Sequence, residues 1–244
     1  MGGLYDEDLA YIHDVGFSDF ITAASPGILR LLQRAGIPPG FVVDLGCGSG
    51  VLAQALLRSG FQVLGVDASA AMVRLARRRA PGAKFVTAQA QQIELPSCAA
   101  VTAIGETLNY FADTNHNVRL STVFRRIFSS LQPRGVFLFD LAGPALARSE
   151  DSARTFTEGT GWSIMVEKEA DLSRNVLTRR IVAFRKVGKL YRRSEEVHRL
   201  RLYEPSQVTL LLRDAGFSVR VLSGYGPQRL LPGRTAFLAT KPRS

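Results

Sequence analysis

The chain has 244 residues, 46% hydrophobic and 21% charged, which is enough apolar material for one α/β domain with a small appended subdomain. No stretch approaches the roughly 18 uninterrupted apolar residues of a membrane span, and the first residues lack the apolar core of a signal peptide, so we expect a cytoplasmic protein with no membrane partner. The net charge is +10, with 18 Lys and Arg against 9 Asp and Glu in residues 151–244, and the scattered cysteines and histidines predict no disulfide framework and no metal site.

The first predicted helix lies near the N-terminus. Ser25-Pro26 is typical of an N-cap followed by a first-turn proline, and Gly36 is typical of a helix end. These signals predict a helix that begins at this Ser-Pro pair and reaches Ala35.

Residues 37–150 are predicted to form the core of a doubly wound fold. Short runs that are apolar on both faces alternate with helical patterns, as in parallel strands covered by helices on both sides. The predicted strands are Phe41–Leu45, Gln62–Val66, Lys84–Val86, Ala99–Ile104 and Val136–Phe139. The predicted helices between them are Val51–Ser59, Ala70–Arg79 and His116–Leu131.

The pattern changes in residues 151–203, where turn signals separate consecutive strand-like stretches and indicate an antiparallel insertion. These stretches are Trp162–Ala170, Asn175–Lys186 and Leu190–Tyr203. Residues 204–244 return to a helix and two strands, predicted at Pro205–Ala215, Phe217–Leu222 and Thr235–Ala239. The sequence therefore predicts an α/β fold with a doubly wound, mostly parallel seven-stranded sheet and an antiparallel β insertion.

A glycine-rich loop carries the strongest functional signal. The segment Asp44-Leu45-Gly46-Cys47-Gly48-Ser49-Gly50 stands between a predicted strand and a predicted helix. Because glycine has no Cβ, this backbone can turn tightly and approach a ligand beside the free N–H groups of the helix N-terminus. The spacing G-x-G-x-G differs from the G-x-G-x-x-G of dinucleotide sites. The acid before it is a poor neighbour for a pyrophosphate and suits a ligand that carries an ammonium and a sulfonium.

A second acid, Asp67, ends the next strand 21 residues after Gly46. This offset is near that of the carboxylate that accepts hydrogen bonds from ribose hydroxyls in dinucleotide-binding folds. The alternative is a glycine-rich turn with a helix-capping aspartate. The strand, the two acids and the spacing together favour the ligand site.

At these positions the sequence resembles the class I, Rossmann-like methyltransferase superfamily that uses S-adenosylmethionine (SAM), and more loosely its small bacterial members with an antiparallel insertion. The segment 44–50 is similar to the first superfamily motif and 63–72 to the second. The resemblance implies SAM as the cofactor. The residues that it implies for the cofactor site are Asp44, Gly46, Cys47, Gly48, Gly50, Asp67, Ala68, Met72, Gln89, Ala90 and Gly105.

The segments after the third and fourth strands extend this resemblance. Gln89 stands where the third motif places an acid for the adenine amino group, and a glutamine can also accept that hydrogen bond. Gly105 would let the methionine part of SAM approach. Glu106 and Asn109 follow as candidates for the acceptor side, with the capping of a helical turn as the alternative.

Methyl transfer from a sulfonium requires alignment and exclusion of water more than a dedicated catalytic signature. The candidate catalytic residues are Glu106, His198 and Tyr11, with His198 chosen because its pKa range suits a base. The alternatives are that Tyr11 packs on the sheet and that His198 lies on a sheet surface. By the resemblance, residues 1–36 are a helical lid, 37–150 the SAM-binding core, 151–203 the acceptor-side insertion and 204–244 the elements that complete the core.

The leading hypothesis is methyl transfer to O or N of a small-molecule acceptor, and basic residues of the insertion such as Arg180, Arg193 and Arg201 favour an anionic group on it. The alternatives are a nucleic-acid or protein methyltransferase that uses the basic C-terminal region, and a SAM-binding protein without catalysis. Against nucleic acid, the segment 105–108 lacks the [D/N]-P-P-[Y/F] box of adenine-amino enzymes, and Cys98 lacks the preceding proline of cytosine-C5 enzymes. The identity of the acceptor and a possible homodimer stay open.

Overall fold

The computed structural model describes residues 4–113, 119–149 and 154–243. Its helices are α1 Glu7–Gly16, α2 Asp19–Arg34, α3 Val51–Arg58, α4 Ala70–Arg79, α5 Leu120–Ser130, α6 Pro144–Ser149 and α7 Pro205–Asp214, with a 3-10 helix over Thr107–Asp113. Its strands are β1 Phe41–Leu45, β2 Gln62–Asp67, β3 Lys84–Thr87, β4 Cys98–Ala103, β5 Leu131–Ala142, β6 Arg154–Gly159, β7 Trp162–Asp171, β8 Val176–Val187, β9 Leu190–Arg201, β10 Ser218–Leu222, β11 Gly224–Tyr225, β12 Gln228–Arg229 and β13 Arg234–Thr240.

The main sheet has seven strands in the order β10-β13-β5-β4-β1-β2-β3. Strands β1 to β5 pair in parallel, and β13 runs antiparallel to both of its neighbours. The predicted doubly wound, mostly parallel seven-stranded sheet is therefore confirmed. The strand order reverses between β1 and β4, and ligands bind at the carboxyl ends of strands at such a point.

Helices cover both faces of this sheet, because the strands are apolar on both sides. Along β1, Val42 packs into the cluster that contains Leu52 of α3, whereas Val43 packs into the opposite cluster with Phe124 of α5. The last four residues of β1 are all buried. The glycine loop after β1 is thus held between a buried strand and a packed helix.

The insertion forms a separate four-stranded antiparallel sheet in the order β6-β7-β8-β9. Its inner face packs on α1, where Leu9 and Ile12 contact Trp162, Ile164 and Ile181. A second cluster joins β8 and β9 to the carboxyl end of β5. The inserted sheet therefore lies over the edge of the main sheet at which β1 and β4 end.

One predicted helix near the N-terminus was wrong in its first residue, and one strand of the insertion was not predicted. Helix α2 begins at Asp19, so Pro26 lies inside the helix rather than in its first turn. The buried stripe of Ala24, Ile28 and Leu32 stabilises the helix on both sides of the proline. Strand β6 was not predicted, because all six of its residues are exposed and show no apolar alternation.

The region before β5 also differs from the prediction. The predicted helix 116–131 is observed from Leu120 to Ser130, and residues 116–118 lie outside the described residues. Strand β5 begins at Leu131 instead of Val136, because Leu131 already pairs with Cys98 of β4, and the register shifts before pairing resumes at Val136.

Candidate functional site

The glycine loop has the conformation that its sequence predicts. Gly46, Gly48 and Gly50 have φ angles of 66°, 52° and 81°, a region that side chains disfavour. A Cβ at Gly46 would lie 2.3 Å from Thr107, and one at Gly50 would lie 2.9 Å from Ala76. A Cβ at Gly48 would meet nothing within 4 Å. The outer glycines therefore allow close packing, and the middle one presents open backbone to a ligand.

Asp67 closes this loop from the end of β2. Its Oδ2 accepts a hydrogen bond from Gly48 N at 2.9 Å, and its Oδ1 accepts one from Ser69 N at 2.8 Å. Burial raises the pKa of Asp67 above its ordinary value, against the two hydrogen bonds that lower it. Each carboxylate oxygen keeps a further lone pair, so Asp67 can accept from ribose hydroxyls while it holds the loop.

Asp44 is the buried acid of the site, with a relative exposure of 2%. Its Oδ1 accepts a hydrogen bond from Thr102 Oγ1 at 2.6 Å. Burial raises the pKa of Asp44 to about 7. A cation bound next to this carboxyl would favour its ionised form.

A cavity of about 230 Å³ opens at the carboxyl ends of β1, β2 and β4. Ten of the eleven predicted cofactor residues line it, namely Asp44, Gly46, Cys47, Gly48, Asp67, Ala68, Met72, Gln89, Ala90 and Gly105. Gly50 is not among the lining residues, because it packs on α4. The cavity offers a carboxylate for ribose hydroxyls, apolar contacts beside it and open glycine backbone, a donor set that fits SAM.

An aromatic cluster closes one end of the cavity. The hydroxyls of Tyr5 and Tyr110 lie 3.1 Å apart, and the Tyr5 ring meets the His13 ring edge-on at 5.2 Å between centroids. Tyr5, His13 and Tyr110 all line the cavity. Burial lowers the pKa of His13 to about 4, so its imidazole is neutral at physiological pH. Tyr110 was missed as a site residue, because one tyrosine after a strand carries no distinctive spacing.

His198 lies behind the two tyrosines and is fully buried. Its ring centroid is 5.0 Å from that of Tyr5 and 5.7 Å from that of Tyr110. Its Nε2 lies 2.7 Å from Glu196 Oε2, whereas its Nδ1 has no hydrogen-bond partner among the residues that the structure describes. His198 is not one of the cavity-lining residues, so the tyrosines separate it from the cavity.

Glu106 is held by two arginines. Both terminal nitrogens of Arg179 lie 3.2 Å from Glu106 Oε2, and Arg234 Nε donates to Oε1. Burial alone would raise the pKa of Glu106, but the two guanidinium groups hold it below its ordinary value. This arrangement gives no support to Glu106 as a proton acceptor.

Asn109 and Tyr11 are occupied by structural contacts. Asn109 Nδ2 donates to the carbonyls of Ala142 at 2.9 Å and Arg201 at 2.5 Å, and its Oδ1 accepts from Ala142 N at 3.0 Å. Tyr11 lies outside the cavity lining, with the guanidinium carbon of Arg185 3.7 Å from its ring centroid. Asn109 therefore joins the 3-10 helix to β5 and β9, and Tyr11 anchors α1 on the inserted sheet.

The basic side chains of the insertion are largely ion-paired. Arg180 and Arg193 both contact Glu195 on the exposed face of the inserted sheet. Arg185 and Arg192 both contact the buried carboxylate of Asp8 on α1. Much of the positive charge of this region is thus balanced by carboxylates of the same chain.

The part of the chain that the structure describes contains neither a cluster of metal ligands nor a membrane-spanning helix. In residues 4–113, 119–149 and 154–243, no group of three or more His, Cys, Asp or Glu could hold a metal ion. Across the described helices, none is long and apolar enough to cross a membrane.

Residues 42–135 match a family model described as a methyltransferase domain. A methyltransferase of Geobacillus sp. (strain WCH70) is 29% identical over 192 residues, which cover 73% of this chain and 74% of the relative. The trans-aconitate 2-methyltransferase of Acidovorax sp. (strain JS42) is 30% identical over 146 residues, 59% of this chain and 54% of that protein.

Two solved structures share the fold over almost the whole chain. An S-adenosylmethionine-dependent methyltransferase from Clostridium acetobutylicum has a TM-score of 0.81 and 19% identity, covering 96% of this chain and 97% of its own. The sugar N-methyltransferase KedS8 from Streptoalloteichus sp. has a TM-score of 0.77 and 20% identity, covering 100% of this chain and 94% of its own.

Proposed function

We propose that this chain, a SAM-dependent methyltransferase of the class I, Rossmann-like superfamily, transfers a methyl group to an oxygen or nitrogen atom of a small-molecule acceptor. The matching methyltransferase domain, which spans the glycine loop, Asp67 and Gly105, supports the predicted enzyme class, and SAM-dependent structural neighbours support the predicted superfamily and cofactor. The nature of the acceptor is the part that we propose.

The observation that carries the proposal is the closed end of the cavity. Tyr5 from the N-terminal segment, His13 from α1 and Tyr110 from the 3-10 helix meet there, beside Gly105. Behind them the inserted sheet packs on α1 and on the 3-10 helix. Such an enclosed site suits a compact acceptor that is surrounded by side chains, as in most small-molecule sites.

The same geometry counts against a macromolecular acceptor. A nucleic acid would need a row of cations that face the entrance. Five arginines of the insertion instead pair with Glu195, Asp8 and Glu106. This pairing also weakens the argument for an anionic acceptor from charge alone.

The relatives support a small acceptor and leave two chemical classes to compare. One relative is named for trans-aconitate, a carboxylic acid, and one structural neighbour for the nitrogen of a sugar. A carboxylate acceptor needs no proton removal, whereas a hydroxyl or ammonium acceptor does. The two classes therefore differ in their need for a base.

His198 is the group that we propose as the proton acceptor where one is required. Bound SAM supplies an activated methyl group on a sulfonium. In the neutral imidazole, Nε2–H donates to Glu196 and leaves the lone pair of Nδ1 free inside the aromatic cluster. A proton taken up at Nδ1 converts the ring to an imidazolium, which Glu196 stabilises. His13 remains neutral and orients the acceptor by hydrogen bonding.

The first test measures thermal unfolding of wild type and Asp67→Ala with SAM, its demethylated product and NAD. Saturating SAM at about 100 times its dissociation constant should add about 2.7 kcal/mol to the free energy of unfolding. Asp67→Ala should lose about 1–3 kcal/mol of binding, because a buried polar group is removed from the ligand. Stabilisation by NAD alone would contradict the proposed site.

The second test follows methyl transfer from radiolabelled SAM to a panel of di- and tricarboxylic acids, amino sugars and phenols, with tRNA, duplex DNA and a protein mixture in parallel. We expect label in one small-molecule class and none in the macromolecules. Label only in a macromolecule would overturn the proposal.

A further inference from the structure

The turn after β4 has an unusual backbone. Gly105 and Glu106 have φ angles of 82° and 62°, and a glutamate rarely adopts a positive φ. Both backbone N–H groups donate to one carboxylate: Gly105 N lies 3.0 Å from Asp140 Oδ2, and Glu106 N lies 2.6 Å from Asp140 Oδ1. Asp140 lies on β5 and is 1% exposed. A buried carboxylate therefore fixes a turn in which Glu106 has a conformation that residues other than glycine rarely adopt.

A tyrosine from a distant part of the chain completes this arrangement. The hydroxyl of Tyr225, on β11, donates to Asp140 Oδ2 at 2.6 Å, and the Tyr225 side chain is fully buried. Helix α2 packs closely against Tyr225: a Cβ at Gly27 would lie only 1.9 Å from the carbonyl oxygen of Tyr225. Asp140 thus accepts three hydrogen bonds, which favour its ionised form, although burial raises its pKa above the ordinary value.

The direction of the turn follows from peptide geometry. In a trans peptide the C=O points opposite to the N–H. Since the N–H groups of Gly105 and Glu106 point at Asp140, the carbonyls of Ile104 and Gly105 point away from it. Ile104 and Gly105 line the cavity, and a Cβ at Gly105 would meet nothing within 4 Å. The carbonyl of Ile104 accepts from Thr107 Oγ1 at 3.1 Å. The carbonyl of Gly105 is therefore the group of this turn that suits an ammonium on the cavity side.

We propose that Asp140 and Tyr225 are positioning residues for the amino-acid part of SAM. They act through the Gly105–Glu106 turn and do not touch the cofactor themselves. Asp67, at the end of β2, serves the adenosine part through the ribose hydroxyls. The two parts of the cofactor are thus held by two separate networks.

The test compares two ligands by calorimetry, neither of which requires a known acceptor. S-adenosylhomocysteine carries the amino-acid part, whereas 5′-methylthioadenosine lacks it and is titrated to millimolar concentration. Asp140→Asn keeps the volume but can accept from only one of the two amides, so we expect affinity for S-adenosylhomocysteine to fall tenfold or more. Affinity for 5′-methylthioadenosine should stay within about twofold of wild type.

Tyr225→Phe is the milder second variant, because it removes one donor and leaves both amide contacts. We expect it to weaken S-adenosylhomocysteine binding two- to fivefold, again without an effect on 5′-methylthioadenosine, and it keeps the proposal testable if Asp140→Asn does not fold. Asp67→Ala is the matched control and should weaken both ligands. Equal losses for both ligands in the Asp140 and Tyr225 variants, or no loss for either, would overturn the proposal and leave the methyltransferase assignment intact.

Discussion

Glu196 accepts a hydrogen bond from the backbone amide of Tyr5 at 2.7 Å, across a sequence separation of 191 residues. The same carboxylate accepts from Asp6 N at 2.9 Å and lies 2.7 Å from His198 Nε2. On its other side, the carbonyl of Tyr5 accepts from Ser69 Oγ at 2.6 Å. The N-terminal segment is therefore clamped between the inserted sheet and the N-terminus of α4, directly over the cavity.

Glu196→Ala should release this segment. The substitution removes three hydrogen bonds to a charged acceptor and leaves the amides of Tyr5 and Asp6 without their partner. We expect amide hydrogen exchange in the peptide around residues 4–10 to become at least tenfold faster, measured by mass spectrometry. Glu195→Ala is the control. The Glu195 carboxylate is next in the sequence, but it lies on the exposed face of the inserted sheet, where it pairs with Arg180 and Arg193. Equal acceleration in the two variants would show that the clamp is not specific.

Because Asp44 is buried, we expect the free energy of unfolding to depend on pH. Burial raises its pKa to about 7, whereas an unfolded aspartate titrates near 3.9. Between these values the folded protein keeps a proton that the unfolded chain has released, so this group makes the free energy of unfolding fall as pH rises. Asp44→Asn removes the effect, and we expect the variant to gain about 1–4 kcal/mol over wild type on going from pH 4.5 to pH 8. Urea unfolding at the two pH values measures this difference, and identical pH profiles would contradict it.

The same group predicts proton release when SAM binds. A cation near Asp44 lowers its pKa, so binding near neutral pH should expel part of a proton. Calorimetry in two buffers of different ionisation enthalpy should show this release in wild type and not in Asp44→Asn. A heat of binding that does not depend on the buffer in wild type would contradict contact between the cofactor and this carboxyl.

The fold was predictable because the sequence alternates clearly between short apolar runs, which form the strands, and helical patterns. Val42 and Val43 pack on opposite faces of the sheet, and this two-sided burial makes β1 a continuous apolar run in the sequence. Strand β6 carries no such signal, since its residues are all exposed and its pairing with β7 depends on the backbone. Pro26 predicted a helix start by a local rule that the tertiary packing of α2 overrides.

The predicted cofactor residues near the glycine loop follow from local spacing, whereas the rest of the cavity depends on distant contacts. Asp140 lies within the apolar run of β5, and no motif in the sequence assigned it a role. Nothing local joins it to Tyr225, 85 residues away. Tyr5 and Tyr11 occupy one short segment, and only the packing of that segment and of α1 decides which of them lines the cavity.

Glu106 is expected to matter for stability more than for catalysis. Glu106→Ala leaves the largely buried guanidinium groups of Arg179 and Arg234 without their shared carboxylate. Breaking a buried ion pair in this way costs about 3–5 kcal/mol. Urea unfolding at pH 7 measures the loss, with Glu195→Ala as a control expected to lose far less stability, because its exposed ion pairs are screened by solvent. A Glu106 variant of wild-type stability and no activity would instead assign the carboxylate to the reaction.

His198→Gln tests the proton acceptor that we propose, once an acceptor with a hydroxyl or ammonium group is identified. Glutamine can still reach Glu196 by hydrogen bonding but cannot take up a proton, so kcat should fall about 10²- to 10⁴-fold. Affinity for SAM should stay within about twofold, because His198 lies behind Tyr5 and Tyr110 and outside the cavity lining. His13→Gln is the matched histidine control, and we expect it to raise KM for the acceptor with a smaller effect on kcat, since His13 lines the cavity. If His198→Gln lowered SAM affinity as much as kcat, its imidazole would be a packing group and the proton would have to leave by another route.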